Sequence, residues 1–301
     1  METETSFRSR ISGHTQLLTL MAYPIRHSGS PAMHNEAARY LGLDYVYLCF
    51  DVDQSDLKEA IDAMRTLNIR GGNFSMPNKI AVIPLLDRLS QEAKMCGAVN
   101  TVVNDDGVLT GYNTDGIGYT QSLRDRGIDP KGKKITVLGA GGAGKAVQVQ
   151  LALEGVKELY VFNRHDEFYE RAQETVGMIN EKTRCRASFF DLEDKERLRE
   201  RLIQSDILTN ATSVGMAPND RESCIPDASF LHEDLAVTDV VYFPEETTLL
   251  KQAKEAGCRS IIGGKGMMLF QGASSFKLWT GKEMPIAHMK DFLGLQNTAL
   301  I

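Results

Sequence analysis

Two side chains of this sequence have the chemistry of an acid–base pair, namely a lysine and an aspartate. Lys79 closes the segment 72–79, in which amide and hydroxyl groups collect at the end of a strand beside Pro77. Asp115 lies in the segment 113–116, just before a helix. Strand ends are where α/β proteins form their sites. A lysine beside a carboxylate in a closed cleft can transfer a proton to or from an alcohol, provided that its pKa lies near the working pH. The aspartate would orient the lysine and help to bind the hydroxyl.

The same residues have simpler interpretations, which the spacing leaves open. Taken alone, Lys79 is typical of a solvated surface lysine. Thr114 or Asp115 is an ordinary N-cap for the helix that follows. The charge of Lys79 at rest depends on its burial, which the sequence does not show.

A second candidate site is the pair Ser28 and Ser30 in the segment 27–31. In extended backbone, residues i and i+2 face the same side, so both hydroxyls point towards one ligand. They lie just ahead of a helix N-terminus, which favours an anion, and together they suit a carboxylate. The alternative is that Ser30 only caps the helix, with Pro31 at its first position.

The segment 133–145 has the pattern of a buried strand, a glycine turn and a helix start, and a second strand follows at 159–162. Glycines at such a turn let the backbone approach a pyrophosphate, whose charge the N–H groups and positive end of the helix then hold. The glycine fingerprint alone is weak. Its setting inside a βαβ unit favours a dinucleotide site over a tight turn in an ordinary α/β protein.

The elements that position the first groups are recognisable in the first third of the chain. Apolar patterns predict strands at 17–21, 44–52, 69–74, 99–103 and 108–112, and helices at 30–40, 57–67 and 116–126. Residues 104–107, Asn-Asp-Asp-Gly, are a hairpin turn signal between the last two strands. The first third is therefore α/β in its own right.

The segment 127–132 is punctuated by glycine and proline and is the predicted domain boundary. Strands at 207–209, 237–242 and 260–262 and helices at 267–279 and 286–293 follow it. We predict an α/β fold with an N-terminal α/β substrate domain and a Rossmann-like dinucleotide-binding domain, with C-terminal helices that pack back on the first domain. The predicted bounds are 1–14 for a disordered extension, 15–126 with 267–301 for the substrate domain, and 127–266 for the dinucleotide domain.

Length and composition exclude several classes of protein. The 301 residues are enough for two domains, and a net charge of −6 argues against a nucleic-acid partner. The five cysteines are scattered without a Cys-x-x-Cys pair, which argues against a disulfide framework and a structural zinc site. No apolar run reaches membrane-spanning length and the N-terminus lacks a secretory signal, so we predict a cytoplasmic protein with no membrane partner.

The sequence lacks the motifs of two familiar oxidoreductase mechanisms. No Tyr-x-x-x-Lys occurs, so the catalytic pair of short-chain dehydrogenases is absent. No Cys/His cluster indicates a catalytic zinc, and we predict no metal. Lys79 is therefore the best candidate acid or base for hydride chemistry.

Several motifs form an ordered set between about residue 17 and residue 281, and the set is far more specific than any one of them. They are 27–35 (HSGSPAMHN), 72–79 (GNFSMPNK), 97–101 (GAVNT), 111–116 (GYNTDG), the glycine turn, 210–216 (NATSVGM), 239–244 (DVVYFP) and 266–272 (GMMLFQG). In this combination the sequence resembles the shikimate dehydrogenase family.

The resemblance implies a two-domain fold with the active site in a groove between the domains. It implies reversible NAD(P)-linked oxidation of a ring hydroxyl of shikimate to the ketone of 3-dehydroshikimate, in the chorismate and aromatic amino acid pathway. Oxidation of quinate to 3-dehydroquinate stays open beside it. The implied small-molecule partner is therefore shikimate or quinate. A homodimer stays open too, because the sequence does not reveal the oligomeric state.

The resemblance also assigns residues to roles. By their places in the motifs, Lys79 and Asp115 resemble the family's catalytic pair, and Ser28 and Ser30 its carboxylate-binding serines. Residues that resemble its other substrate-binding positions are Ser75, Asn100, Tyr242 and Gln271.

The cofactor-binding residues implied by the resemblance are Gly139, Ala140, Gly141, Gly142, Ala143, Asn163, Arg164, Asp166, Thr212, Met216 and Gly264. In this family, Arg164 can grip the extra phosphate of NADP, whereas Asp166 can repel that phosphate or bond the ribose hydroxyls of NAD. The segment 162–169 looks more like the quinate/shikimate branch, so NAD is favoured over NADP. Asp166 has an alternative interpretation as the N-cap of a helix at 167–172.

Two departures from the family pattern keep a second substrate hypothesis open. Ser75 stands where threonine is usual, which keeps the hydroxyl and loses the methyl group, and Gly29 stands where a larger residue is frequent. A dehydrogenase of a shikimate analogue is therefore an alternative. A non-catalytic dinucleotide-binding regulator is a third hypothesis. It predicts a defect at Lys79 or Asp115, and both are present.

Overall fold

The computed structural model describes residues 11–295, which divide into two compact units. The first unit comprises the described chain up to Thr114 together with Gly272–Leu295, and the second comprises Asp115–Gln271. The domain bounds predicted from the sequence stay a prediction beside this division. Most of the predicted extension 1–14 lies outside the described residues, as do residues 296–301 of the predicted C-terminal segment.

The first unit is built on a six-stranded mixed sheet. Its strands are β1 (Gln16–Ala22), β2 (Tyr45–Asp51), β3 (Gly71–Phe74), β4 (Arg88–Leu89), β5 (Thr101–Asp105) and β6 (Val108–Tyr112). The strand order is β2-β1-β3-β5-β6-β4, with β1 parallel to β2 and β3, and β5 antiparallel to β3 and β6. Parallel neighbours need crossover connections, which helices supply here.

The helices of this part are α1 (Ser30–Tyr40), α2 (Leu57–Thr66), α3 (Asn78–Ala81) and α4 (Gln91–Cys96), with a 3₁₀ turn at Ile83–Leu85. α1 and α2 are the crossovers from β1 to β2 and from β2 to β3. On α2, Leu57, Ile61 and Met64 recur at helical spacing and are buried in the hydrophobic core of this unit.

β5 and β6 form the predicted hairpin. β5 begins and ends two residues later than predicted, at Thr101–Asp105 rather than at 99–103. Asp106 and Gly107 have φ values of 51° and 90°, as a two-residue type I′ turn requires. Asn104 Oδ1 accepts the N–H of Gly107 at 2.8 Å, which closes the turn.

The second unit begins with α5 (Asp115–Arg124) and contains a six-stranded sheet. Its further elements are β7 (Lys134–Leu138), α6 (Gly142–Leu153), β8 (Glu158–Asn163), α7 (Tyr169–Lys182), β9 (Arg186–Asp191), α8 (Lys195–Gln204), β10 (Ile207–Asn210), a 3₁₀ turn at Ala228–Phe230, β11 (Ala236–Asp239), α9 (Thr248–Glu255) and β12 (Ser260–Ile262).

All neighbouring strands of this second sheet are parallel, in the order β12-β11-β10-β7-β8-β9. β7 and β8 are continuous apolar runs because both faces of a parallel sheet are covered. The chain winds outward from β7 to β8 and β9 on one side, and returns to β10 on the other. Ligands of such sheets bind where the order reverses, at the carboxyl ends of β7 and β10.

The C-terminal helices are α10 (Lys265–Thr280) and α11 (Ile286–Phe292), and residues from Gly272 onward belong to the first unit. The predicted packing of this segment on the first domain is confirmed. Trp279 is buried, and its indole N–H donates to the carbonyl oxygen of Val102 at 2.9 Å. Arg70 donates to the carbonyl oxygen of Trp279 at 2.9 Å. Between residues 11 and 295, no helix is long and apolar enough to span a membrane.

Candidate active site

The two serines of the predicted carboxylate site lie together at the start of α1. Their hydroxyl oxygens are 3.1 Å apart, and Ser28 Oγ also accepts the N–H of Ser30 at 3.2 Å. The predicted N-cap at Ser30 is wrong, because Gly29 is the N-cap and no side chain caps the helix. The Ser30 hydroxyl instead accepts a hydrogen bond from the Ser28 hydroxyl. Two adjacent hydroxyls before an uncapped helix start suit a carboxylate.

Lys79 is held on α3, the short helix that follows β3. Its carbonyl oxygen accepts the N–H of Val99 at 2.8 Å. The preceding residue, Asn78, is fully buried, and its side chain donates to the carbonyl oxygen of Val52 at 2.8 Å. The N–H of Asn78 donates to the carbonyl oxygen of Ser75 at 2.7 Å. Hydrogen bonds to the backbone therefore hold the loop that carries Ser75 and Lys79.

The Asn100 side chain is buried at the start of β5, and its amide has a defined orientation. Its Oδ1 accepts the N–H of Thr114 at 2.8 Å, and its Nδ2 donates to Thr114 Oγ1 at 2.9 Å. Because a backbone N–H can only donate, the amide oxygen must face it. The carbonyl oxygen of Asn100 accepts the N–H of Phe74, the last residue of β3, at 2.8 Å.

Sheet topology brings these groups to one edge of the first unit. β1, β3 and β6 run in the same direction, so their carboxyl ends lie at the same edge as the start of β5. The serine pair follows β1, Ser75 and Lys79 follow β3, and Asn100 precedes β5. Thr114 follows β6, and Asp115 is the next residue in the chain.

The remaining predicted substrate residues belong to the second unit. Asp115 is the first residue of α5. Tyr242 is 53% exposed in the loop after β11, and the Gln271 side chain donates to the carbonyl oxygen of Met268 at 3.1 Å on α10. The roles assigned to these residues stay predictions.

A group of buried polar side chains beneath the edge was missed by sequence reasoning. Its members are Tyr47, Asn73, Asn100, Thr101, Thr114 and Ser275, and we call it the buried polar cluster. Of these, only Asn100 was predicted as a site residue. Asn73, Thr101 and Thr114 stand inside the quoted motifs. The signal for Ser275 is weaker, since it is one serine within a helix.

Tyr47 is held in this cluster by aromatic packing. The buried ring of His34 stacks on the Tyr47 ring with centroids 4.5 Å apart, and Trp279 lies edge-on to His34. Burial lowers the pKa of His34 to about 3, so its imidazole is neutral near pH 7. This histidine of the first motif therefore packs as an uncharged ring.

The glycine turn after β7 has two kinds of glycine. Gly139 has a φ of 101°, and a Cβ there would lie 2.7 Å from a Thr212 methyl carbon. A Cβ on Gly144 would lie 2.4 Å from the carbonyl oxygen of Gly139, so both positions need glycine. Cβ atoms on Gly141 and Gly142 would meet nothing within 4 Å. Open space at the start of α6, which no side chain caps, fits the pyrophosphate of a dinucleotide.

Asn163, at the end of β8, connects the glycine turn to the loop that follows. Its Oδ1 accepts the N–H of Ala140 at 3.0 Å, and its Nδ2 donates to Asp166 Oδ1 at 2.8 Å. Asp166 Oδ1 also accepts the N–H of Phe168 at 2.9 Å, and its Oδ2 lies 3.2 Å from Arg164 Nε. Burial raises the pKa of Asp166, but these three hydrogen bonds outweigh it and lower the pKa overall.

The alternative interpretation of Asp166 as an N-cap is wrong by two residues. α7 begins at Tyr169 and its N-cap is Phe168. Asp166 instead closes the turn before the helix. It lines a surface depression of about 580 Å³ together with His165 and Tyr169, whose rings stack 3.9 Å apart. Ala143, also predicted to bind cofactor, lies in the first turn of α6.

Thr212, Met216 and Gly264 lie in loops after the carboxyl ends of β10 and β12. Met216 is 42% exposed, as a ligand contact requires. A Cβ on Gly264 would lie 2.3 Å from the carbonyl oxygen of Val240, so only glycine fits. The predicted cofactor residues thus collect at the carboxyl edge of the second sheet.

Asp239, at the end of β11, holds the loops after β10 and β11, and the sequence analysis assigned it no separate role. Its Oδ1 accepts from Asn210 Nδ2 at 3.0 Å and from the N–H of Val241 at 2.9 Å, and its Oδ2 accepts from Thr247 Oγ1 at 2.7 Å. Asn210 Oδ1 in turn accepts the Thr212 hydroxyl at 2.7 Å. Burial raises the pKa of Asp239 to about 6, although the hydrogen bonds act in the opposite direction.

This raised pKa predicts a pH dependence of stability. The unfolded pKa of aspartate is about 3.9, so the contribution of Asp239 is fully present below that pH and is lost as the pH rises through about 6. Two pKa units correspond to about 3 kcal/mol. Between about pH 4 and pH 7, the free energy of unfolding should therefore fall by about that amount relative to Asp239→Asn. Urea unfolding of both proteins across this range measures the difference, and parallel curves would contradict the prediction.

The second unit has a doubly wound sheet with a glycine turn that fits a dinucleotide, and the first unit presents hydroxyl, amide and lysine groups at one edge of its sheet. Residues 20–102 match the model of the shikimate dehydrogenase substrate binding domain, and residues 264–291 match that of the shikimate 5'-dehydrogenase C-terminal domain. Shikimate dehydrogenase (NADP(+)) of Listeria innocua is 54% identical over 284 residues, which are 94% of this chain and 97% of the relative. The chain belongs to the shikimate dehydrogenase family, which confirms the resemblance.

Two further comparisons bear on the fold and the cofactor. Quinate/shikimate dehydrogenase of Escherichia coli O139:H28 is 47% identical over 94% of this chain and 98% of its own. The solved structure of shikimate 5-dehydrogenase from Listeria monocytogenes, in complex with shikimate and NAD, is 54% identical. It has a TM-score of 0.92 and covers 94% of this chain and 98% of that one. The predicted α/β fold class is confirmed.

Proposed function

We propose that this protein is an NAD(P)-dependent shikimate dehydrogenase that reversibly oxidises shikimate to 3-dehydroshikimate. The observation that carries the proposal is the serine pair, whose hydroxyl oxygens lie 3.1 Å apart and do not cap α1. At the same sheet edge lie an oriented amide, a hydroxyl and a lysine, which suits a ring that bears one carboxylate and several hydroxyls. The 54% identity to enzymes of this name, over nearly the whole chain, supports the assignment.

In the proposed reaction, Ser28 and Ser30 bind the substrate carboxylate by donating their hydroxyl hydrogens. Lys79 takes the proton from the reacting hydroxyl during oxidation and returns it during reduction, and Asp115 orients the lysine and that hydroxyl. The nicotinamide cofactor, when bound, accepts the hydride from the carbon that bears the hydroxyl. The remaining substrate contacts are assigned to four residues. Ser75, Asn100 and Gln271 bind the other ring hydroxyls, and Tyr242 is a further substrate-binding residue.

The preferred cofactor is proposed to be NAD. Asp166 is fixed by two donors on Oδ1 and lies 3.2 Å from Arg164, whose charge it partly neutralises. A 2′-phosphate beside this carboxylate would be repelled, whereas ribose hydroxyls can donate to it. The Listeria innocua relative is named for NADP and the Listeria monocytogenes structure contains NAD, so both cofactors occur among relatives.

Initial rates at the nicotinamide absorbance band test this proposal, with shikimate and quinate each crossed with NAD and NADP. We expect turnover of shikimate, and a higher kcat/KM with NAD than with NADP. A strong preference for NADP would contradict the role given to Asp166. Absence of turnover in all four combinations would contradict the proposed function.

A dehydrogenase of a shikimate analogue is the second candidate, and one observation favours it. A Cβ on Gly29, between the two serines, would meet nothing within 4 Å, so there is open space beside the serine pair. Quinate, which carries an added hydroxyl, is the analogue to test first, and a panel of cyclitol acids extends the test. The cytoplasmic location and the homodimer stay predictions from the sequence.

A further inference from the structure

The buried polar cluster has a composition that is costly to bury unless every member is bonded. Its six side chains are between 0% and 8% exposed. Hydroxyl and amide groups removed from water must replace the lost hydrogen bonds, so a fully bonded cluster has few alternative arrangements. The orientation of each member is therefore set by its neighbours.

Ser275 lies at the centre of this cluster. Its Oγ is 2.7 Å from Thr101 Oγ1 and 3.2 Å from Thr114 Oγ1, and it accepts from Asn73 Nδ2 at 3.1 Å. Ser275 is on α10, 174 residues after Thr101 and 161 residues after Thr114. One hydroxyl from the C-terminal helix thus connects the end of β3, the start of β5 and the segment after β6.

The bonds continue from Ser275 to Asn100 through both threonines. Thr114 Oγ1 accepts from Asn100 Nδ2 at 2.9 Å, and the Thr101 hydroxyl donates to Asn100 Oδ1 at 3.0 Å. Both ends of the Asn100 amide are therefore bonded to a hydroxyl that Ser275 contacts. If the Ser275 hydroxyl is removed, each threonine hydroxyl loses one hydrogen-bond partner. The N–H of Thr114 still sets which end of the Asn100 amide faces it, but the two hydroxyls that hold the amide in place can shift.

The cluster also extends to Tyr47 on β2. Tyr47 donates its hydroxyl hydrogen to Asn73 Oδ1 at 2.8 Å, and the buried His34 ring of α1 stacks on the Tyr47 ring. The cluster is therefore anchored to β2 and α1 as well as to β3, β5 and α10.

We propose that Ser275 is a positioning residue for substrate binding. Through Thr101 and Thr114 its hydroxyl fixes the position of the Asn100 amide, whose orientation the N–H of Thr114 sets, so that the amide can bind a ring hydroxyl of the substrate. The proposal rests on the proposed function, since it takes Asn100 as a substrate contact. Ser275 does not itself contact the substrate or the cofactor.

The test compares Ser275→Ala with the unmodified protein. We expect KM for shikimate, and its Kd from calorimetry with cofactor present, to rise about tenfold, as the loss of one neutral hydrogen bond in the binding arrangement predicts. KM for NAD should change less than twofold, because the cluster belongs to the first unit and the predicted cofactor residues belong to the second. A purely structural role would lower the Tm and leave KM for shikimate unchanged.

Ser205→Ala is the matched control. Ser205 is also a buried serine, and its Oγ is 2.8 Å from Thr136 Oγ1 in the second unit, so its loss breaks a comparable hydroxyl pair. We expect its Tm to fall while KM for shikimate stays within twofold of the unmodified value. Equal increases in KM for both variants would overturn the proposal.

A second variant guards against poor folding of Ser275→Ala. Thr101→Val keeps the shape of the side chain and removes the hydroxyl that Ser275 contacts, so KM for shikimate should again rise. The double variant should show an increase smaller than the product of the two single increases, because both changes break the same connection. Unchanged KM in both single variants, with normal turnover by the unmodified protein, would overturn the role of Ser275 alone. No turnover of shikimate by the unmodified protein would overturn the proposed function as well.

Discussion

Replacing Lys79 with alanine is expected to lower kcat for shikimate oxidation by roughly 10²–10⁴-fold, the effect of losing a positioned acid or base. The substrate hydroxyl must lose its proton as its carbon loses hydride, and Lys79 is the group proposed to take it. KM for the cofactor should change little, because Lys79 belongs to the first unit and the cofactor residues to the second. Steady-state and single-turnover rates measure the loss.

The control for this change is Lys58→Ala, which removes an exposed lysine of the same unit. Lys58 is 68% exposed and pairs with Asp62 on α2. The Lys58→Ala variant should leave kcat unchanged, since an exposed ion pair of this kind contributes little to stability. Lys79→Arg separates charge from proton transfer, because arginine keeps the charge and does not deprotonate in proteins. Turnover of Lys79→Ala at the unmodified rate would remove Lys79 from the mechanism.

Replacing Asp166 with asparagine is expected to raise the ratio of kcat/KM for NADP to that for NAD by roughly 10²-fold. The amide keeps an oxygen for the N–H of Phe168 and the side chain of Asn163, so the loop should hold its shape. The change removes a negative charge beside the proposed position of the 2′-phosphate and frees Arg164 to bind it. At an effective dielectric constant near 20, the repulsion between two charges a few ångströms apart is up to about 4 kcal/mol. Partial exposure of the carboxylate and the phosphate to solvent reduces this repulsion.

Glu174→Gln is the control for the change in net charge. Glu174 lines the same surface depression from further along α7, so it alters the local charge by the same amount without touching the turn. Its cofactor preference should match that of the unmodified protein. An unchanged preference in Asp166→Asn would show that this carboxylate does not select the cofactor.

Much of the fold followed from local patterns. The continuous apolar runs predicted β7 and β8, and the glycines predicted the turn between β7 and α6. The hairpin of β5 and β6 followed from Asp106-Gly107, whose positive φ values few other residues tolerate. Short strands lacked such signals. β4 has two residues and its place in the sheet depends on pairing with β6, which no local pattern encodes.

Some features of the candidate site also followed from local sequence, and others did not. Ser28 and Ser30 were recognisable as two hydroxyls separated by one residue, and their oxygens do lie 3.1 Å apart. The predicted extended backbone and the N-cap at Ser30 were wrong, because Gly29 between them has helical φ and ψ values and is itself the N-cap.

By itself, the sequence determined the family and the α/β class, and it predicted the dinucleotide turn and the residues proposed to do the chemistry. These depend on neighbouring residues or on ordered motifs, which can be recognised without knowing which distant segments meet. Only the tertiary structure decided which hydroxyls surround Asn100, because Ser275 and Thr101 are 174 residues apart in the chain. It also decided the burial that raises the pKa of Asp239. Burial and long-range hydrogen bonds arise when sheets and helices pack, and packing brings together residues whose separation in the sequence carries no signal.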